Sequence, residues 1–352
     1  MIRKGLALAI AFGGGPALGA QDLPRGAPAT WPVSGALPPE ARQFDFWVGE
    51  WEVNLRTFQT DLTWRDTHRA TARIYPILHG KAVLELWAAP DIVGFSLRYY
   101  DTSKERWVLW LNWPGENRSG SSSLEGGFRH GRGDFYATRV DAEGNERLSR
   151  FSFNDITATS LRWDDAYSRD GGKTWTHSWI MEWTRTARIP RLGREGGKAH
   201  TFLEGDRCPA APFRRYEFLS GRRIGTVTGE RVAVPGELTG YRVLGGCAVV
   251  VFVGDGGGTP TSERFAHLTW NTTADRYELL ILDDDPDDPA RLYFTERGAG
   301  DLVFVERSGT ESPSHRRVRL EGGPDGSVRW IEEIGRDGEW RTAWAGEFGA
   351  PR

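Results

Sequence analysis

Cysteine is almost absent from this 352-residue sequence, and neither sign of charge dominates it. Its two cysteines exclude a disulfide-dense scaffold and a cysteine-rich zinc or iron–sulfur site. The 45 basic and 48 acidic side chains give a formal net charge of −3, which argues against nucleic-acid binding. The sequence contains no G-x-S-x-G, H-E-x-x-H or P-loop motif, and its seven histidines show no metal-ligand spacing. We therefore predict no metal site.

Aromatic residues are abundant, because 16 Trp, 17 Phe and 9 Tyr make up 12% of the chain, and this favours strands over helices. Short runs with period two recur between turn pairs such as Asp-Gly. Hairpin-linked strands at regular spacing predict an all-β fold of antiparallel up-and-down barrels, with about eight to ten strands each. In the clearest run, residues 174–183, strict alternation places five side chains on one face: Trp175, His177, Trp179, Met181 and Trp183.

Residues 1–20 have the layout of a secretory signal peptide. Arg3 and Lys4 precede an apolar stretch that ends in small residues near Ala20. That stretch is too short and glycine-rich for a membrane span, which needs about 20 apolar residues, and no later segment reaches this length. Residues 21–42 are rich in Pro and Ala and read as a linker. We expect an exported protein, periplasmic or extracellular, without a membrane span; an uncleaved tail is the alternative.

The chain carries a weak internal duplication. It predicts two units, residues 43–188 and 213–348, joined by a linker over residues 189–212 that is rich in Gly, Pro and charge. Matching segments occur in the same order at nearly the same offset: 77–83 with 243–249, 99–107 with 269–277, 160–163 with 327–330, and 169–175 with 336–340.

The string F-D-F-W-V-G-E-W-E-V at residues 44–53 resembles the opening of an uncharacterised, mostly bacterial family of lipocalin-like proteins. The resemblance covers the first unit and implies lipocalin-like (calycin-like) barrels. It also implies that Gly49 and Trp51 form a Gly-x-Trp signature, with Arg185 packed across the indole as a cation–π pair. The second unit lacks both tryptophans at its start, so we expect a function tied to this motif to belong to the first unit alone.

Two ionisable residues are candidates for chemistry. His177 lies on the Trp-rich face of the last strand of the first unit. There it would orient a ligand or bind haem, which is the one cofactor we consider. The alternative is a histidine without a functional role that is hydrogen-bonded or partly exposed. Glu85 interrupts the apolar run 82–87. Inside a barrel it would have a raised pKa and act as an acid, a base or a ligand anchor. Strict alternation would instead turn it to solvent.

The tryptophans of the first unit allow two interpretations. They either line a pocket for an apolar or aromatic ligand or fill the core, since barrels of this size hold packed side chains or one small ligand. The candidates are Trp87, Trp107, Trp110, Trp113, Trp163, Trp175 and Trp179.

Two further features have competing explanations. Cys208 and Cys247 form an even pair, which in an exported protein permits one disulfide from the linker to the second unit; two free thiols are the alternative. Residues 283–288 contain five aspartates, and oxygen-rich loops bind calcium. The EF-hand spacing is absent, however, so an acidic hairpin tip is the preferred interpretation.

We therefore predict a tandem barrel protein that binds a small apolar or aromatic molecule in the first barrel. A ligand set of Glu85, Trp87, Trp110, Trp175, His177 and Trp179 follows from this. Two alternatives stay open: an isomerase or cyclase with Glu85 and His177 as acid and base, and a structural or interaction protein with solid barrels. The sequence names neither the ligand nor the oligomeric state.

Overall fold

The computed structural model describes residues 37–115, 120–140, 144–186, 194–195, 198–199, 205–229, 232–255, 262–298, 300–306, 315–336 and 339–352. The proposed signal peptide lies outside these residues. The described chain forms two closed antiparallel barrels of ten strands each, in which strands that are consecutive in sequence are hydrogen-bonded neighbours. The prediction of an all-β fold with tandem up-and-down barrels is therefore confirmed.

The first barrel closes by pairing of its first and last strands. Two short 3-10 turns, Pro39–Arg42 and Asp45–Trp47, precede it, and a third, Leu78–Gly80, joins its second and third strands. Its strands are β1 (Gly49–Phe58), β2 (Trp64–Ile77), β3 (Ala82–Ala88), β4 (Val93–Asp101), β5 (Arg106–Asn112), β6 (Ser122–Arg129), β7 (Arg132–Val140), β8 (Glu146–Asn154), β9 (Ser160–Ser168) and β10 (Thr176–Thr186).

A two-stranded ribbon of β11 (Arg194–Glu195) and β12 (Lys198–Ala199), the short helix α1 (Ala211–Arg214) and a 3-10 turn, Glu217–Leu219, lead to the second barrel. Another 3-10 turn, Leu244–Gly246, repeats the one in the first barrel. The strands are β13 (Gly221–Thr228), β14 (Ala233–Val243), β15 (Ala248–Asp255), β16 (Glu263–Asn271), β17 (Arg276–Asp283), β18 (Arg291–Phe294), β19 (Val303–Glu306), β20 (His315–Gly322), β21 (Val328–Arg336) and β22 (Glu339–Phe348).

The two barrels lie side by side and run in opposite directions. At the lower end of barrel 1, the end that carries the Asp45–Trp47 turn, Lys81 contacts the acidic loop 283–288 at the upper end of barrel 2. At the other end, Gly115 forms a parallel bridge with Asn271, the last residue of β16. The lower end of each barrel therefore lies beside the upper end of the other.

The outer face of β3 and β4 is apolar and packs against barrel 2. Leu84, Leu86 and Leu97 are fully buried and belong to one cluster with the core of barrel 2. Phe95 stacks on the imidazole of His267, with ring centroids 3.7 Å apart. This junction explains why β3 and β4 are buried on both faces, whereas a strand of an isolated barrel alternates between buried and exposed residues.

The segment before α1 is attached to both barrels. Cys208 and Cys247 form a disulfide, with their Cα atoms 5.0 Å apart. The backbone N–H of Arg207 donates to Gly245 of barrel 2 (2.8 Å), and its guanidinium donates to the carbonyl of Ala89 in barrel 1 (2.8 Å). The disulfide therefore secures a connection that spans the junction.

Candidate ligand site in the first barrel

The interior of barrel 1 is almost filled by its own side chains. The remaining cavity has a volume of about 20 Å³, which is room for one or two water molecules and far below the size of a typical ligand pocket. The residues that line it are mostly aromatic or aliphatic and include one ion pair: Trp47, Glu85, Trp87, Gly94, Phe95, Arg98, Leu111, Trp113, Phe151, Phe153, Trp163, Met181 and Trp183.

Glu85 lies inside barrel 1 and is paired with a charge that the sequence analysis missed. Its carboxylate accepts a hydrogen bond from Ser96 (2.5 Å) and lies 3.4 Å from the guanidinium of Arg98. Both Glu85 and Arg98 are buried. Burial raises the pKa of Glu85 against the opposing effect of Arg98, and burial lowers the pKa of Arg98 to about 10. The strand pairing Glu85–Ser96 brings these groups together.

Arg98 is also held by aromatic rings at the lower end of barrel 1. Its guanidinium lies 3.7 Å from the ring centroid of Trp47 and 5.3 Å from those of Phe44 and Phe153. Trp47 and Phe44 both belong to the opening string, so this string supplies the floor beneath the ion pair. A cation over an aromatic face is stabilised by the ring quadrupole, more strongly when water is excluded.

Four tryptophans close the upper end of barrel 1. Trp87, Trp113, Trp163 and Trp179 form a chain of ring contacts with centroids 5.5 to 6.2 Å apart. Trp113 and Trp179 are only partly buried, and Trp113 packs directly on Gly94, where a Cβ atom would lie 2.8 Å from the indole. These two rings therefore separate the cavity from solvent.

Several donors in the cavity lining are left unpaired. The indole N–H groups of Trp47, Trp87 and Trp183 and the Nε–H of Arg98 have no hydrogen-bond partner within the described part of the chain. Buried donors normally have a partner, so an interior with four unpaired donors is suited to an occupant that carries acceptor atoms.

His177 does not face this cavity. A β-bulge between His177 and Trp179 shifts the register of β10 against β9, so the strict alternation expected for residues 174–183 fails at this point. Trp179 and Met181 keep the inward orientation, while His177 lies opposite Ala166, with Nδ1 3.1 Å from the buried carboxylate of Asp164. The structure therefore does not bring His177 and Glu85 together.

Two other predicted ligand residues lie away from the interior. Trp110 is half-buried and packs against the junction cluster, because it points outward from β5. Trp175 precedes β10, donates its indole N–H to Gly172 (3.0 Å) and lies beneath the guanidinium of Arg150. Of the predicted set, Glu85 and Trp87 line the cavity, and Trp179 packs on Trp87 from above.

Arg185 closes the lower end of barrel 1. Its guanidinium lies 4.2 Å from the ring centroid of Trp51 and donates to the backbone carbonyls of Phe46 and Val48. Gly49 is required here, because its φ is +142° and a Cβ atom would lie 2.4 Å from the Arg185 guanidinium. These residues fasten the opening string to the last strand.

Barrel 2 makes the same closure with a different residue. The guanidinium of Arg223, two positions after Gly221, donates to the carbonyls of Phe218 (2.5 Å) and Ser220 (2.8 Å). Relative to the glycine, these carbonyls correspond to those of Phe46 and Val48 in barrel 1. The arginine thus occupies the sequence position of Trp51, which explains how a unit without the tryptophans keeps the same closure.

The upper interior of barrel 2 contains a charged network instead of a tryptophan layer. Arg264 forms ion pairs with Asp283 and Glu332, both at 2.6 Å, and its guanidinium lies 4.5 Å from the ring centroid of Trp344. Burial raises the pKa of Glu332 against the effect of Arg264. At the position of Glu85, barrel 2 has Val251, so the two interiors differ in their chemistry.

The described residues offer no group of three or more side chains suited to holding a metal ion. His177, the residue expected to bind haem, lies on the outer face of barrel 1 beside Asp164 and does not reach the interior. Among the helices in the described ranges, none is long and apolar enough to cross a membrane.

Comparisons with known proteins give no assignment. No family model matches the sequence, and no curated protein matches it. Among solved structures, a protein of unknown function from the DUF3598 family of Nostoc punctiforme PCC 73102 shares 9% identity over 89% of this chain and 100% of its own, with a TM-score of 0.26. Intact Ap-TbpB, with its N and C lobes, shares 7% identity over 86% and 77% of the two chains, with a TM-score of 0.17. TM-scores of this size support no inference about the function of this chain.

Proposed function

We propose that this chain is an exported tandem barrel protein of the lipocalin-like kind and that barrel 1 binds one small apolar or aromatic molecule with a hydrogen-bond acceptor. The observation that carries this proposal is the set of unpaired indole N–H donors around the interior cavity, at Trp47, Trp87 and Trp183. An apolar body would stack on the indole rings, and its acceptor would satisfy buried donors that otherwise cost free energy.

Binding requires a rearrangement of the upper tryptophans. The cavity of about 20 Å³ is too small for such a molecule, so Trp113 and Trp179, the two partly buried rings of the layer, would have to rotate outward. The Glu85–Arg98 ion pair would stay in place and present a polar surface without net charge to the bound molecule. Export is supported by the disulfide between Cys208 and Cys247, because disulfides persist in oxidising compartments.

The small cavity volume favours a second candidate, a structural or interaction protein with solid barrels. The isomerase or cyclase alternative has less support, because Glu85 is bound by Arg98 inside the barrel while His177 pairs with Asp164 outside it. An acid and base acting on one substrate would have to reach the same molecule.

Prodan, a naphthalene with one ketone acceptor, tests the proposal by fluorescence titration. We expect saturable binding with one site per chain, quenching of tryptophan emission, and an affinity at least fivefold weaker in Trp87→Phe, which removes one unpaired N–H donor. The matched control is Trp175→Phe, whose indole lies outside the barrel on the β9–β10 hairpin. N-Phenyl-1-naphthylamine, which lacks the ketone, should lose less affinity in Trp87→Phe.

Absence of saturable prodan binding, or equal affinities in Trp87→Phe and Trp175→Phe, would support the solid-barrel candidate. Native mass spectrometry of protein exported from a bacterial host complements the titration. Extra mass in the native spectrum alone would reveal a captured ligand, and the denatured mass would test whether the chain is cleaved near Ala20.

A further inference from the structure

A second cleft lies between the barrels, outside the cavity of barrel 1. It is an open depression of about 550 Å³ at the upper end of barrel 1 and the lower end of barrel 2. Barrel 1 contributes Ser121, Ser122 and Arg139, and barrel 2 contributes Arg276, Glu278 and Phe294. The cleft therefore exists only where both barrels meet, and its chemistry belongs to neither barrel alone.

Arg276 presents a preorganised guanidinium to this cleft. Its guanidinium carbon lies over the ring of Phe294, 3.7 Å from the ring centroid. Within the described part of the chain, its buried Nε has no hydrogen-bond partner and no carboxylate forms an ion pair with it. This cation–π contact restrains the guanidinium, and its unpaired Nε–H is a donor for an oxygen acceptor.

Arg139 provides the second positive charge from barrel 1. Among the described residues it makes only a long hydrogen bond, 3.4 Å from Nη2 to Ser122 Oγ, and no ion pair. The carboxylate that influences it most, Asp165, accepts a hydrogen bond from Ser178 (2.7 Å). Arg139 is half-buried and has therefore lost part of its hydration shell. No carboxylate among the described residues forms an ion pair with it in place of the lost water.

Among the described residues that line the cleft, the one acid is already engaged. Glu278 is buried, and its two carboxylate oxygens accept hydrogen bonds from the Ser121 backbone N–H (2.6 Å) and from Asn271 Nδ2 (2.7 Å). A Cβ atom on Gly120 would lie 2.0 Å from this carboxylate, so the backbone at residues 120–121 packs closely over it. Glu278 is thus engaged, and among the described lining residues the two arginines are left as the available charges.

We propose that this cleft binds the oxyanion group of a small molecule, a carboxylate or a phosphate, between Arg139 of barrel 1 and Arg276 of barrel 2. Arginine guanidinium groups match the geometry of both oxyanions and bind them through paired N–H···O hydrogen bonds. The hydroxyls of Ser121 and Ser122 provide further donors, and Phe294 provides an apolar wall. This site is independent of the proposed ligand in barrel 1.

Inorganic phosphate and acetate are the two probes that test the site in the full-length protein. With arginine labelled by ¹⁵N, titration should shift the Nε–Hε resonance of Arg276 saturably for at least one probe, and the probe that binds more tightly identifies the preferred oxyanion class. We expect at least tenfold weaker binding in Arg276→Gln and Arg139→Gln, measured by calorimetry. Arg276→Lys, which keeps the charge but loses the planar fork, should retain weaker binding than the parent.

Arg129→Gln is the matched control, because Arg129 is exposed at the end of β6 and does not line the cleft. It should bind both probes as the parent does, and circular dichroism should show that all variants are folded. The proposal is overturned if neither probe moves the Arg276 resonance, or if Arg129→Gln loses as much affinity as Arg276→Gln, which would indicate unspecific charge attraction. Neither result depends on prodan binding in barrel 1.

Discussion

Buried ionisable side chains in this protein differ in whether a partner of opposite charge offsets the free-energy cost of their burial. Glu85 and Arg98 compensate each other inside barrel 1, and Arg264 is compensated by two carboxylates inside barrel 2. His267 is not compensated: its Nε2 finds no partner among the described residues, and Phe95 covers its ring. Burial lowers the pKa of His267 to about 3, so the imidazole is neutral in the folded protein.

His267 should therefore make the fold sensitive to acid. The unfolded chain binds a proton at this histidine below about pH 6.5, whereas the folded chain does so only near pH 3, so stability falls as the pH decreases between these values. The contribution reaches about 1.4 kcal/mol per pH unit, or about 2 kcal/mol at pH 5. In His267→Phe, which keeps the stacking on Phe95, urea denaturation should show a smaller loss of stability between pH 7 and pH 5.

The exposed His315 offers a control for this comparison. His315→Phe should show the same loss of stability between pH 7 and pH 5 as the parent. If His267→Phe also loses as much stability as the parent, the histidine is not held neutral at the junction.

At the scale of single elements, the acidic loop 283–288 depends on a lysine of the other barrel. Lys81 is buried, and its ammonium donates to the backbone carbonyls of Asp283 (2.7 Å), Asp285 and Asp288 (2.7 Å). His79 adds a contact to Asp284 at 3.1 Å. Carbonyl oxygens of the loop thus surround a protein cation, which explains how five aspartates in six residues form a defined turn.

Lys81→Met should release this loop. Three carbonyls would lose a charged donor, and we expect a loss of about 2–4 kcal/mol in the free energy of unfolding. Hydrogen exchange should quicken at the amide of Asp284, which donates to the Glu263 carbonyl, and at that of Asp288, which donates to the Asp285 carbonyl. Lys173→Met, at the exposed tip of the β9–β10 hairpin, should leave both quantities unchanged. Unchanged exchange in Lys81→Met would mean that the loop is stable without the ammonium.

Element type was predictable from the sequence because period-two patterning and turn pairs are local signals. Local irregularity was not predictable: the bulge in β10 turns His177 outward, yet residues 174–183 alternate in sequence as if the strand were regular. The partner of Glu85 was also missed, because Arg98 is 13 positions away and only the pairing of β3 with β4 brings them together. The sequence did carry one signal for this ion pair, because β3 and β4 each contain a charged residue within an apolar run.

The whole molecule is two barrels with one shared apolar junction. Tandem barrels could be predicted from the duplication, but the junction could not, because outward residues such as Leu84 and Leu86 look like ordinary core positions. For the same reason Trp110 was assigned to a ligand pocket although it packs at the junction. Alternation identifies the two faces of a strand and does not identify what covers each face.

The junction predicts that the two barrels unfold together. Phe95 lies between them, 2% exposed and stacked on His267, and Phe95→Ala should cost about 3–5 kcal/mol because it leaves a cavity. In scanning calorimetry we expect a single transition for the parent protein, with equal calorimetric and van't Hoff enthalpies. Leu62→Ala, at a position that is 77% exposed on the β1–β2 turn, is the control and should leave the transition unchanged.

Phe95→Ala then tests whether the junction couples the unfolding of one barrel to the unfolding of the other. If the junction holds the barrels in one cooperative unit, the variant should lower the melting temperature or separate the transition into two, one for each barrel. Two transitions already present in the parent would contradict this expectation, because each barrel would then be stable without the other. A single cooperative unit would also mean that the inter-barrel cleft with Arg139 and Arg276 persists as long as either barrel is folded, since its two arginines come from opposite sides of the junction.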